Sequence, residues 1–120
     1  MESHKDLEIW KRSVDLVTAI YEVTKSFPKE EVYGIINQMR RCAISIPSNI
    51  AEGAARNSGK EFIYFLYIAL GSISELETQI IISEKLTYIS NTTSEQIQNE
   101  LIELKNMTIG LIKYLKNKNS

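Results

Sequence analysis

Phe62-Ile63-Tyr64-Phe65-Leu66-Tyr67-Ile68-Ala69-Leu70 is a run of nine apolar residues followed directly by Gly71, Ser72, Ser74, Glu75 and Glu77. Ser58 and Glu61 stand just before it in a capping-box spacing, where a serine oxygen takes the N–H three residues on and the glutamate reaches back. Within the run and beyond it, Phe62, Leu66, Ala69, Ile73, Leu76 and Ile80 recur at helical spacing. The stretch therefore predicts one helix of roughly 27 residues, about 40 Å long. The run is well short of the ~20 apolar residues that cross a bilayer, so it is not read as a membrane span. A helix in a small bundle buries one stripe, whereas one apolar all round must be covered on its other sides as well. The expected cover is another protein chain.

Three further helices follow from the same periodicity. Leu7, Trp10, Val14, Val17 and Tyr21 give a first core stripe from Leu7 to Lys25, ended by Phe27-Pro28 because the residue before a proline leaves the α region. Val32, Ile36, Met39, Ala43, Ile46 and Ile50 give a second, from Glu31 to Glu52, with Gly53 as its C-cap. Pro47 lies inside it without shifting the phase of the stripe, which predicts one kinked helix rather than two. Ser90-Asn91-Thr92 turns the chain, Thr93 and Gln96 form a second capping box, and Ile97, Leu101, Leu104, Leu111 and Leu115 line the fourth helix. Positions 116–120 read as a frayed tail. The fold class is all-α, one domain over 1–120: an antiparallel up-down-up-down four-helix bundle. A helical hairpin that completes its core between chains is the alternative.

Charge and chemistry narrow the function classes. With 14 Lys plus Arg against 15 Asp plus Glu, there is no overall positive charge to attract nucleic acid. The single cysteine, Cys42, forms no internal disulfide and fits a reducing cytoplasm as a small buried hydrophobe. The polar start Met1-Glu-Ser-His-Lys-Asp shows no signal or transit peptide, and the protein is read as cytoplasmic. His4, the only histidine, falls in a tail expected to be mobile, and no His or Cys pair has metal spacing. Glu75 and Glu77 lie on different helix faces, so no acid/base pair is evident. The stretch Gly53 to Glu61 fails as a phosphate loop: five residues separate Gly53 from Gly59, Glu61 replaces the magnesium-binding hydroxyl, and no strand precedes it. No catalytic residue, metal, cofactor, membrane or small-molecule substrate is implied, and the chain reads as a non-enzyme.

Two polar stripes remain. Gln38, Arg41, Ser45, Asn49 and Glu52 share a face of the second helix, and Phe65, Ile68, Ser72, Glu75, Gln79 and Ile82 share one of the third. On stripe geometry alone the set on the second helix reads as a solvated face; Ser and Asn, weaker helix formers than the Lys and Glu of such a face, favour the other reading, a lattice between packed helices or subunits. Gly71 costs about 1 kcal/mol relative to alanine, which the close approach of a neighbouring backbone would explain. Arg40, Arg56 and Lys60 are candidate nucleic-acid contacts, and Lys113, Lys116 and Lys118 around Tyr114 form another basic cluster.

Phe27-Pro-Lys-Glu-Glu, Gln38-Met-Arg-Arg41, Ser45-Ile-Pro-Ser-Asn-Ile-Ala-Glu-Gly53, Phe65-Leu, Ile68-Ala-Leu-Gly-Ser72 and Glu75-Leu-Glu-Thr-Gln79 closely resemble the bacterial four-helix-bundle family of the 23S rRNA intervening-sequence proteins. The resemblance covers nearly the whole chain. It implies a homo-oligomer, a pentameric ring, by likeness of fold to the accessory proteins of diversity-generating retroelements, which bind a reverse transcriptase and nucleic acid. The family's polar positions fall here on Gln38, Arg41, Ser45, Asn49, Glu52, Ser72 and Glu75. The alternative it implies is an RNA- or nucleoprotein-binding ring. This chain departs from the accessory proteins in lacking their strong basicity.

Overall fold

A computed structural model describes residues 3–118. Four α-helices form a bundle, and no strand occurs among the described residues: α1 (Glu8–Thr24), α2 (Ile35–Ala54), α3 (Gly59–Lys85) and α4 (Asn91–Lys118). Short 3-10 helices, His4–Asp6 and Lys29–Glu31, precede α1 and α2. The core runs the length of the bundle, with Ile20, Met39, Ile46, Ile50, Leu66, Leu76, Ile80 and Leu101 fully buried. Leu7, Ala54, Phe62 and Leu115 meet around one groove at one end, while Phe27 packs on Tyr88 at the other, ring centroids 5.3 Å apart.

The long third helix is the one the sequence predicts. Ser58 Oγ accepts from the Glu61 N–H at 3.1 Å, and all of its predicted stripe is buried except half-buried Phe62. The Glu61 carboxylate meets the Ser58 hydroxyl (3.4 Å) instead of reaching the backbone. Within α3 one 18-residue window reaches a mean hydropathy of 1.3, which by length and composition alone is enough for a membrane-crossing helix. Here that hydropathy is divided between a core stripe and an exposed apolar ridge.

Several local expectations are corrected. The α1 stripe is displaced: Ile9, Ser13, Leu16, Ile20 and Thr24 are its buried residues, while Leu7, Trp10, Val14 and Val17 are half-buried and Tyr21 is exposed. A reading by hydrophobicity passes over Ser13 and Thr24. Both can be buried because their hydroxyls donate to their own helix, Ser13 to the Trp10 carbonyl (2.9 Å) and Thr24 to that of Ile20 (2.7 Å). Helix α2 starts at Ile35, not Glu31, so Val32 is exposed; it continues through buried Pro47 as a single helix. His4 is held by an edge-on contact with Trp10 at 5.2 Å. Helix α4 extends through Lys118 in place of the expected frayed tail, and positions 119 and 120 lie outside the described residues.

Gly53 does not cap α2, which runs one residue further. A Cβ there would stand 2.8 Å from Phe65 Cβ and 3.0 Å from Phe62 Cδ1, so glycine is required where α2 and α3 nearly touch. The start of α4 is capped by Ser90, whose Oγ accepts from the Thr93 N–H at 3.1 Å, and not by a Thr93–Gln96 box. At the end of α3, the Tyr88 N–H reaches the Ser83 carbonyl and the Thr87 N–H that of Glu84, both at 2.9 Å. This is a Schellman motif with Thr87 at φ 63°, the position that favours glycine.

Candidate functional site

The two polar stripes meet where α2 lies on α3. The Ser45 and Ser72 hydroxyls are 2.7 Å apart, Ser45 Oγ donates to the Cys42 carbonyl at 2.6 Å, and the Cys42 thiol donates to the Ser72 carbonyl at 3.1 Å. Asn49 Nδ2 donates to the Ser45 carbonyl at 2.8 Å. Of the lattice expected from the sequence, Ser45 and Ser72 bond across the seam within one chain and Asn49 bonds within α2, while Gln38, Arg41 and Glu52 take no part in it. Small side chains let the backbones approach here, and the hydroxyls satisfy one another where water is scarce.

An open groove of about 630 Å³ runs along this seam, lined by Gln38, Arg41, Ser45, Glu75 and Gln79 among others. Arg41 and Glu75 are exposed on its rim and form no ion pair with each other. Gln79 is only 8% exposed, and its Oε1 has no hydrogen-bond partner among the described residues. Leaving such an acceptor unpaired costs on the order of 1–3 kcal/mol. Cys42 is buried in the seam, as expected. Burial first, then the facing Glu75 carboxylate, pushes its thiol pKa up to about 12, which makes it an inert packing group at neutral pH.

The predicted interface residues separate into two sets. Phe65, Ser45, Ser72 and Asn49 are engaged inside the chain, with the Phe65 Cβ against Gly53 and its ring under the Arg56 guanidinium at 4.9 Å, while Gln79 is buried with its side-chain oxygen unpartnered among the described residues. Gln38, Arg41, Glu52, Ile68 and Glu75 face outward. Ile68 and Tyr64 form one exposed apolar pair of a broken ridge on α3, and Ile82 with the C-cap Leu86 forms the other, about 21 Å further along the same face with Ser72 and Glu75 between them. The sequence registered Ile68 and Ile82 on one stripe but gave no reason to separate them from Phe65. Gly71 beside the ridge meets nothing within 4 Å, so no backbone of this chain approaches it.

Arg40, Arg56 and Lys60 are not brought together. Arg40 donates to Thr24 Oγ1 at 2.9 Å and lies 4.5 Å from the Tyr21 ring centroid, facing α1. Arg56 lies past the end of α2, itself about 21 Å along the helix from Arg40 at 1.5 Å per residue, and is held by Glu52 (2.9 Å) and Glu61 (3.7 Å). Only Lys60 has its charge unopposed.

Residues 5–110 match the family model described as 23S rRNA-intervening sequence protein. Among solved structures, the chain is similar to a protein of unknown function from the S23 ribosomal protein family of Bacteroides thetaiotaomicron, with 26% identity and a TM-score of 0.79 over 88% of this chain and 98% of that one. No curated protein sequence matches it significantly.

Proposed function

We infer the function from one premise: the chain belongs to the family of 23S rRNA-intervening sequence proteins. It is a non-enzymatic cytoplasmic interaction module, an antiparallel up-down-up-down bundle bent at Pro47, that assembles with copies of itself into a pentameric ring through the outer faces of α2 and α3. The observation that carries this reading is the broken exposed ridge, Tyr64 with Ile68 and Ile82 with Leu86, beside the polar seam. Apolar groups gathered on one face, next to polar ones, suit a subunit contact better than water. Gly71, with open space over it, leaves room for a neighbouring subunit's backbone, and the unpartnered Gln79 acceptor marks the seam as incomplete in the single chain.

Light scattering on the purified protein tests the reading. A mass near five chains is expected, and Ile68→Asp should reduce it without unfolding the bundle. A monomeric wild type, or an unchanged mass in the variant, would overturn this placement. The alternative of an RNA-binding ring built on Arg40, Arg56 and Lys60 draws no support from the geometry, because the two arginines already have partners.

A further inference from the structure

The contact between Lys116 and Tyr67 joins an uncharged aromatic stretch of the chain to a basic one. Residues 62–74 contain no ionisable acid or base other than tyrosine, and residues 104–118 contain Lys105, Lys113, Lys116 and Lys118 with no carboxylate. Lys116 Nζ donates to the Tyr67 hydroxyl at 2.9 Å, which brings the first half of α3 alongside the last turns of α4. On α3, Lys60, Tyr64 and Tyr67 are spaced four and three residues apart, so they share a face. On α4, Lys113 stands one turn before Lys116. All five side chains are exposed, Tyr64 at 62% and Tyr67 at 49%.

Both rings reach solvent. Lys116 Nζ is 5.3 Å from the Tyr67 ring centroid but 2.9 Å from its hydroxyl, so the ammonium sits at the hydroxyl end of the ring. Tyr64 meets Phe65 edge-on, with an interplanar angle of 85°. Among the described residues, no salt bridge involves Lys60, Lys113 or Lys116. We propose that this α3/α4 face binds single-stranded nucleic acid, with bases stacked on Tyr67 and Tyr64 and phosphates held by Lys60, Lys113 and Lys116.

The chemistry selects that ligand. Unopposed ammonium groups attract any polyanion, but tyrosine faces between them add binding only for a ligand with exposed flat π-systems, which a duplex keeps inside its stack. Tyr67, Lys113 and Lys116 lie on the α4 side of α3, away from the α2/α3 seam, so this part of the surface stands whether or not the chain assembles through the face that Tyr64 shares.

Fluorescence anisotropy with a fluorescein-labelled oligouridylate at low salt tests it. The wild type should bind, and the log–log salt slope should be about −2, from three lysines at roughly 0.7 each for a single strand. Lys113→Glu combined with Lys116→Glu should weaken binding more than about tenfold, while Lys25→Glu at the opposite end should not. Tyr67→Leu should weaken it about fivefold or more and leave the salt slope unchanged, because stacking carries no counterions. Circular dichroism verifies that the exposed-site variants remain folded. Absence of binding by the wild type, or binding by the double lysine variant equal to wild type, would overturn the proposal. So would a Tyr67→Leu protein that binds normally, since that would reduce the surface to a nonspecific cation patch.

Discussion

Ser45 and Ser72 place their hydroxyl oxygens 2.7 Å apart across the α2/α3 seam, while Ser45 Oγ also lies 2.6 Å from the Cys42 carbonyl. A serine has one proton to give, so Ser45 donates to the carbonyl and accepts from Ser72. The two residues form a relay rather than two separate bonds. Ser72→Ala should therefore cost about 1 kcal/mol in urea denaturation, and the double variant with Ser45→Ala should cost less than the sum of the single ones. Additive losses would show that the hydroxyls act independently.

Two glycines should respond to alanine with opposite sign. At Gly53 the added methyl meets Phe65 Cβ at 2.8 Å, and overpacking of this kind costs about 1–3 kcal/mol. At Gly71 nothing lies within 4 Å, and removing a mid-helix glycine stabilises by about 1 kcal/mol. Thermal unfolding of both variants at a concentration that keeps the protein monomeric checks the pair. A bulkier Gly71→Leu should additionally lower the assembled mass if a second subunit approaches this position.

Thr87 adopts φ 63° at the C′ position of α3, where a β-branched side chain is disfavoured by about 1–2 kcal/mol. Thr87→Gly should raise the denaturation midpoint, with a gain near 1 kcal/mol after glycine's greater freedom in the unfolded chain is counted. A lower midpoint would mean that the threonine hydroxyl, 2.6 Å from the Leu86 carbonyl, contributes more than the strain costs.

Phe65 and Ile68 should be separable although they share a sequence stripe. Phe65→Ala keeps the Cβ that meets Gly53 but removes a half-buried ring lying under Arg56 and edge-on to Tyr64, and should destabilise the fold by about 1 kcal/mol. Ile68→Asp, at an exposed position, should leave the unfolding midpoint of the monomer nearly unchanged and act on mass alone. Denaturation and light scattering on the same two samples decide the assignment.

The folded Cys42 thiol has its pKa raised to about 12 by burial and by the Glu75 carboxylate, above the usual thiol value. A raised pKa means that the folded state holds its proton more tightly. The contribution to stability is then complete below the unfolded pKa and is lost as pH rises through about 9 toward 12. Cys42→Ala should flatten the fall in stability over that range. Disulfide-exchange reagents should label wild-type Cys42 slowly at pH 8 and rapidly once the protein is unfolded.

The sequence by itself determined the four helices, their number of residues to within a few positions for α3, the family, and most of the core. Those features rest on local rules: apolar groups every three or four residues, a serine before a helix, a proline after one. It also determined the polar composition of the α2 and α3 stripes. What only the tertiary structure decided is where those stripes point. Ser13 and Thr24 are core residues because their hydroxyls are satisfied by backbone carbonyls, a condition that no hydrophobicity pattern records. Gly53 is required by Phe62 and Phe65 on another helix, and Arg56 is occupied by Glu52 and Glu61. Lys116 and Tyr67, 49 residues apart, become one surface only when α3 and α4 pack side by side. Periodicity fixes which residues share a helix face, but the partner of each face is set by long-range packing, and the charge and solvent access of a site follow from that partner.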